Sequence, residues 1–575
     1  MVRAYTLLSF LTSILIAQSV PAAAQGTRDS ASVKCNGEIV SRVEMNPLPP
    51  PFSGAARKWR AAAHAVGLHH ATTRAEVIAA FVSLAPGKTC TEFRRTESER
   101  VLRAQPFLSD ASVRIVPDTA GMVTVVVTTI DEVPVLVSGR FRGITPEAVS
   151  LGNENLAGEA LLVQGRIERG GAYRTAVGMR LEEDVVMGHP FRLILDGERF
   201  QIGHLWSAEL EHPFFTDLQR ISWHTGVATR NDYIRFERPA RDALALQATD
   251  RVWDASAMLR LFGTRTVTLI GGAITGRTFE PASSGIVVGD SGLVADTGST
   301  LRNRYARYAG GRVGVIGGIR RVAFKSMRGF DALVGAQDVE NGVRLGIFAG
   351  KGIPHFGEAD VFLSGAVYAG AARGNALVAT LAQLEGRRAD AGGSWDNLVG
   401  SARSALYWGS APGAVLVVSD ELSGGSMPRL PLQLSFHELN GGLIGYRSSA
   451  LAGAVRNIAR AEVRVSAESF IRRADVGLAA FSTVGTLWAG DAPYGVNATR
   501  ASVGVSLLAA YPTRSKRLYR ADIAIPLTRS GAGAGRIEVR FTSVDRTQSF
   551  WVEPQDVSRA RTGTEPSRLF AWPSK

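Results

Sequence analysis

The chain has 575 residues, 45% of them hydrophobic, with 62 glycines, two cysteines and a formal net charge of +13. Past the N-terminus no apolar run approaches the roughly 18 residues a membrane helix needs, so membrane integration falls to strands. The basic residues are spread singly rather than clustered, which argues against a nucleic-acid groove and for a basic barrel interior and basic loops near anionic headgroups.

Residues 1–24 read as a secretory signal peptide. Arg3 supplies the positive start, Thr6 to Val20 the apolar stretch, and Pro21-Ala22-Ala23-Ala24 the small residues for cleavage after Ala24. In the oxidising compartment this implies, Cys35 and Cys90 form an even pair and a disulfide candidate.

Residues 33–132 have the pattern of a small α+β domain. Ile39, Val43 and Met45 alternate as a strand, and the prolines from Pro47 to Pro51 break it. A helix is expected over Ala55–Val66, around Trp59 and ending at Gly67. Thr73 and Glu76 form a capping box for a second helix through Ala85; Thr89 and Glu92 form another for a helix to about Ala104. Strands then follow over Ala111–Val116 and Met122–Ile130, the latter a Val/Thr run. His64, His69 and His70 lie close in sequence, but their spacing does not align ligands on one helix face and no Cys or carboxylate supports them. No metal centre is expected there, and no cofactor anywhere.

Residues 133–157 read as a linker and 158–541 as an all-β transmembrane barrel. Short alternating strands recur from Leu161 to Leu439, broken by Gly, Pro, Asp and Asn. From Ala459 to Glu468 the odd positions are Ala or Val and the even ones are Arg460, Glu462, Arg464, Ser466 and Glu468. Apolar outside and polar inside is the barrel-wall pattern. Five strands follow Arg447: Ile458–Glu468, Asp475–Trp488, Ala501–Tyr511, Leu518–Leu527 and Arg536–Phe541.

On these features the chain resembles the bacterial surface antigen superfamily of outer-membrane assembly and translocation barrels, as a divergent member. The N-terminal order of strand, helices, strand, strand resembles a POTRA domain, carried by Thr73-Arg74, Gly87, Leu102–Phe107 and the strand ending at Asp131-Glu132. Gly442-Leu443-Ile444-Gly445-Tyr446-Arg447 stands where the family folds a loop into the lumen, with five strands after it. The resemblance implies about sixteen antiparallel strands. It also implies a lumenal loop (441–456) that regulates the barrel, and a wall partner at Phe481, Thr483 and Gly485 on the second following strand. The family's loop Arg is replaced by Ile444 and its wall Asp by Thr483. Loss of both members of a buried ion pair can be nearly neutral, whereas loss of one is costly. The loop is then expected to be held by packing around Tyr446, with Arg447 read as an ordinary exposed residue. Met327-Arg328-Gly329-Phe330 matches the family's loop string better, but roughly ten candidate strands follow it.

The tail 542–575 carries Phe550, Trp551, Phe570 and Trp572, too aromatic for a disordered default; it is expected to close the barrel mouth or pack on the N-terminal domain. No Gly-x-Ser-x-Gly elbow, phosphate loop or Cys/His metal spacing is present, so no enzyme activity is expected. The resemblance implies outer-membrane localisation, with the POTRA-like domain in the periplasm of a Gram-negative-type cell. Implied partners are outer-membrane lipids, unfolded outer-membrane or secreted polypeptides and accessory periplasmic proteins, without nucleic acid. A client strand would add to the sheet edge near Val113 to Val127. A passive or structural pore is the alternative.

Overall fold

The computed structural model describes residues 32–563 except 51–70, 119–120, 143–144, 171–173, 201–202, 240, 264–265, 290–291, 299, 391–392, 412, 439–441, 472–473, 532 and 546–547. The signal peptide, the Ala55–Val66 helix with Trp59, His64, His69, His70, and the aromatic residues Phe570 and Trp572 lie outside the described residues.

The N-terminal domain contains β1 (Asn36–Leu48), α1 (Ala75–Ala79), β2 (Thr89–Thr91), α2 (Glu92–Ala104), β3 (Leu108–Pro117) and β4 (Val123–Asp131). Its sheet runs β2-β1-β4-β3, with β1 parallel to β4 and the other pairs antiparallel. Val40, Ile78, Leu102, Val113, Ile115 and Val125 form the core beside Cys35 and Cys90, which are joined as a disulfide. Neither capping box forms. The backbone N–H and hydroxyl of Thr73 both donate to the Asp131 carboxylate, so α1 starts at Ala75 without a side-chain cap. The Cys35–Cys90 bond lies where Thr89–Thr91 joins β1 as β2, and Thr91 rather than Thr89 caps α2 by accepting from the Arg94 N–H.

The remaining chain is a closed barrel. Its first wall strands are β5 (Val135–Arg142), β6 (Thr145–Asn153), β7 (Leu161–Gly170), β8 (Arg174–Glu183), β9 (Arg192–Phe200), β10 (Gly203–His212), β11 (Ile221–Phe236), β12 (Leu244–Phe262) and β13 (Val267–Pro281). A hairpin of β14 (Ile286–Gly289) and β15 (Gly292–Ala295) and a short helix, α3 (Thr300–Arg304), interrupt the sequence. The wall resumes, β13 pairing directly with β16 (Tyr308–Arg328), followed by β17 (Ala336–Gly352), β18 (Asp360–Arg373), β19 (Ala376–Ala389), β20 (Trp395–Ala411) and β21 (Ala414–Ser426). Two short strands, β22 (Leu434–Ser435) and β23 (Ala452–Gly453), pair with each other apart from the wall. The last five wall strands are β24 (Val455–Ile471), β25 (Ala474–Trp488), β26 (Ala498–Ala510), β27 (Arg517–Pro526) and β28 (Glu538–Asp545).

The wall therefore has 20 strands rather than about sixteen. The predicted linker 133–157 is part of the difference: β5 and β6 lie in it. Only eight or nine residues long and interrupted by Gly139 and Pro146, they give a weak alternation signal. Conversely, the end of the stretch of short strands expected up to Leu439 holds only the two residues of β22 among the described residues, and Leu244–Phe262 is one long strand, β12.

Alternation parity holds along the wall. On β24, Val463 and Val465 face outward while Arg456 and Glu462 are buried inside. On β27, Ile523 and Ile525 are exposed and Arg520 and Asp522 buried. Period two places successive side chains on opposite faces whatever the strand's neighbours do.

The N-terminal domain docks on one mouth of the barrel, at the turns after β10, β16 and β26. Arg100 donates to the Phe215 carbonyl (2.7 Å), Arg103 pairs with Asp338 (3.0 Å), and Ser515 donates to Glu132 (2.6 Å). Arg517, fully buried, bonds the carbonyls of Val133 and Val135 and pairs with Glu154. Closure is the weak point of the ladder. The register of β28 on β5 comprises Arg540↔Arg140 and Phe541↔Gly139, whereas β16 and β17 pair from Arg312↔Gly352 to Arg328↔Ala336. In refolded protein, amides of β5 and β28 are expected to exchange with solvent deuterium at least about tenfold faster than those of β16 and β17. Equal protection in the two regions would refute a weak seam.

Candidate functional site

The loop between β21 and β24 turns back into the barrel. β22 and β23 tie its base, and Phe436, Leu443, Tyr446 and Leu451 pack with the wall residues Ile458 and Leu487. Gly485 makes this fit possible: a Cβ there would come within 2.7 Å of the Phe436 ring. Gly445 takes φ +96°, a conformation that only glycine adopts readily. That turn aims its backbone at the wall.

Four wall regions hold the loop. Arg456 on β24 donates to the Ser435 carbonyl (2.7 Å) and pairs with Glu438 (2.8 Å) and Glu421 (3.3 Å). The Tyr446 hydroxyl donates to the Ala501 carbonyl (2.8 Å) and accepts the Thr528 N–H (3.1 Å). The Gly445 N–H donates to Glu538 on β28 (2.8 Å), and its carbonyl accepts from the Arg536 N–H (2.8 Å). Arg447 pairs with Glu147 on β6. The expectation of an ordinary exposed Arg447 is therefore corrected. The loop touches β28 on one side of the seam and β6 on the other, and Arg447 meets a partner 300 positions away that the alternation pattern does not mark.

The predicted wall partner lies beside the loop. Ile444 packs against Phe481 and Ala524, and the Arg460 guanidinium stands 4.1 Å over the Phe481 ring. Thr483 is buried, opposite Arg460 and Ser502 on the neighbouring strands. Among the described residues its hydroxyl has no hydrogen-bond partner. The contact of Ile444 with this strand is with Phe481, apolar on apolar. The Arg328-Gly329-Phe330 string instead forms the turn after β16 at the docked mouth, where Phe330 packs 5.2 Å from the Tyr407 ring and its carbonyl accepts from Arg464 (2.7 Å).

The tail also lies in the lumen. After β28, α4 (Gln548–Trp551) places Trp551 6.4 Å from Tyr368, towards the docked mouth. The chain then continues through α5 (Gln555–Ala560), where Val557 and Ala560 pack with Val399 on the wall and Leu432 and Leu434 of the loop. It reaches Thr562 beside Arg312 and Glu385, at the opposite end of the strands. Loop and tail meet at Glu438 and Asp556. Burial pushes the Glu438 carboxyl well above its ordinary 4.5; Arg456 opposes the shift and Asp556 adds to it. Burial alone would raise Asp556 too, but Arg559 and a hydrogen bond from Glu438 hold it below its ordinary value. Burial thus favours the neutral carboxyl at Glu438, and Arg559 the ionised one at Asp556. The tail's only signal in the sequence was its aromatic content, which does not say where it goes.

No protein-family model matches the chain, and no curated relative does. Many solved structures are similar, among them the following three. BamA from Haemophilus ducreyi lacking POTRA domains 1–3 has a TM-score of 0.34 at 12% identity, covering 88% of this chain and 84% of that one. CdiB from Escherichia coli scores 0.46 at 11% identity, covering 88% and 77%. CdiB from Acinetobacter baumannii scores 0.36 at 8% identity, covering 94% and 96%. With identities and scores this low, the barrel rests on this chain's own strands.

Two outcomes follow from the geometry. Tyr446→Phe removes a hydroxyl bonded at both ends and should cost about 1–3 kcal/mol. Tyr446→Ala, which also empties a packed ring site, should cost about 3–5 kcal/mol. Both should lower the temperature at which the folded band is lost on a heat-modifiability gel, and a wild-type temperature for Tyr446→Ala would refute the role. The second concerns pH. Because docking raises the Glu438 pKa, its contribution to tail docking is full below about 4.5 and is lost as pH rises through the raised value. Protease cleavage of the tail should increase over that window, and Glu438→Gln should flatten the increase; an unchanged profile in the variant would remove Glu438 from the contact.

Proposed function

We propose that this chain is a non-enzymatic outer-membrane barrel that assembles or translocates polypeptides. The N-terminal domain, POTRA-like and periplasmic in this reading, receives the client, and the loop 441–456 regulates the barrel. The observation that carries the reading is the seam. A wall closed by a short β28–β5 register, with Gly445 bonded to β28 and Arg447 to β6, is built to be held shut by a removable clasp. An ordinary pore has no need of such an arrangement, and here loop and tail occupy the lumen.

One observation favours the alternative of a structural barrel with an anchoring domain. The outer edge of β3, expected to take a client strand, is covered at Val113: its N–H donates to Glu99 and its carbonyl accepts from Arg95, both on α2. The Ile115 carbonyl accepts from the Val33 N–H. A client strand would have to displace these groups.

Depletion of the protein separates the readings. Falling levels of a subset of other surface proteins are expected, together with crosslinks from β3 to unfolded polypeptide that increase in Arg95→Ala/Glu99→Ala. Unchanged levels of every surface and secreted protein would overturn the polypeptide-handling reading. Arg447→Ala should expose β28 amides to faster exchange while leaving those of β16 unchanged.

A further inference from the structure

The last described stretch of the tail is held by its backbone. Arg277 on β13 donates to the carbonyls of Arg559 (2.8 Å) and Arg561. Arg312 on β16 donates to the carbonyl of Thr562 (2.8 Å). Glu385 on β19 accepts the Thr562 N–H (2.6 Å), and Asn397 on β20 donates to both Glu385 (2.9 Å) and the Thr562 hydroxyl (3.2 Å). Arg559 lies in the last turn of α5, and Arg561 just beyond it takes φ −69° and ψ 137°.

These wall groups are positioned by neighbours of their own. Asp250 grips Arg277 through two hydrogen bonds (2.9 and 2.6 Å), and Asp360 grips Arg312 likewise (3.0 and 2.6 Å). Arg312 and Asp360 are each 1% exposed. A bidentate carboxylate fixes the plane of a guanidinium, so its remaining N–H groups point in set directions. In both cases they point at main-chain carbonyls of the tail. Three carbonyls and one N–H are thus bound by charged side chains from three wall strands. Side-chain contacts add the Thr562 hydroxyl, which accepts from Asn397 (3.2 Å) and donates to Glu385 (3.3 Å), and Ser401 donating to Glu553 (2.6 Å); Arg561 stands beside Glu385 (3.6 Å) but pairs more closely with the tail's own Glu553 (2.5 Å).

A plug needed only to fill space could be held by packing, as Val557 and Ala560 are. Contacts to the backbone are available from any polypeptide, because every peptide unit carries the same acceptor and nearly every one the same donor. We infer that Arg277, Arg312 and Glu385, the last positioned by Asn397, form a lumenal site that reads the main chain of a polypeptide. The chain's own residues 559–562 occupy it, and a segment of transported polypeptide takes it when the tail leaves. The inference rests on the polypeptide-handling reading and adds where inside the barrel the client is held.

The test uses the full chain with a protease site inserted after Asp545, so that the barrel folds with its tail present and is cut afterwards. The released tail is washed out in mild denaturant. Binding of a fluorescent peptide of residues 550–563 is then followed by anisotropy, with a scrambled peptide of the same composition as competitor. Both peptides should bind, with Kd values within about tenfold of each other, since the shared backbone carries the recognition. Arg277→Lys keeps the charge but loses the planar fork and should weaken both by about tenfold, as should Arg312→Met. Should either variant fail to fold, the other carries the comparison, and the scrambled peptide requires neither. Binding of the native peptide alone would overturn the site, leaving a sequence-specific plug; binding of neither would overturn it as well. Peptide binding intact alongside unchanged surface proteins on depletion would locate the failure in the functional reading instead.

Discussion

The closure of the ladder between β28 and β5 is the constraint on which the rest of the structure depends. A barrel avoids unpaired edges only if its last strand bonds its first, and in a lipid environment every unpaired backbone group is costly. Among the described residues that register comprises two residue pairs. The shortfall is made up from inside. Glu538, next to the seam, takes the Gly445 N–H, and Arg447 spans to Glu147 on β6. The tight turn at Gly445 and the packing of Tyr446 thereby become part of the wall's own stability.

The same interior fixes what can pass. A 20-stranded wall encloses more space than its inward side chains fill, and this chain fills it with two of its own segments. The loop is held mainly by an apolar cluster with a buried arginine, Arg456, at its edge. The tail is held at one end by apolar packing and at the other by backbone contacts to Arg277 and Arg312. Glu438 of the loop and Asp556 of the tail join the two.

The apolar contact between loop and wall at Ile444 is also intelligible in these terms. Ile444 rests on Phe481, whose ring also lies under Arg460, so the site keeps a cation near the wall without burying an unpaired one in the loop. Thr483 is buried and its hydroxyl unpartnered among the described residues. That costs far less than an isolated carboxylate would.

Sequence alone determined the features set by local rules. Period-two alternation assigned Val463 outward and Glu462 inward, because a strand's pleat does not depend on which strand lies beside it. Five wall strands are expected after Arg447, and β24 to β28 are those strands. Only the tertiary structure decided what depends on distant partners. Thr73 could not be known to prefer Asp131 over capping its own helix, nor Val113 to be covered by Arg95 and Glu99. Strands β5 and β6 were hidden because their short segments earn their place through pairing rather than through propensity. The Arg447–Glu147 contact and the path of the tail through the lumen join residues hundreds of positions apart, and no local pattern encodes which side of a closed wall a free end will choose.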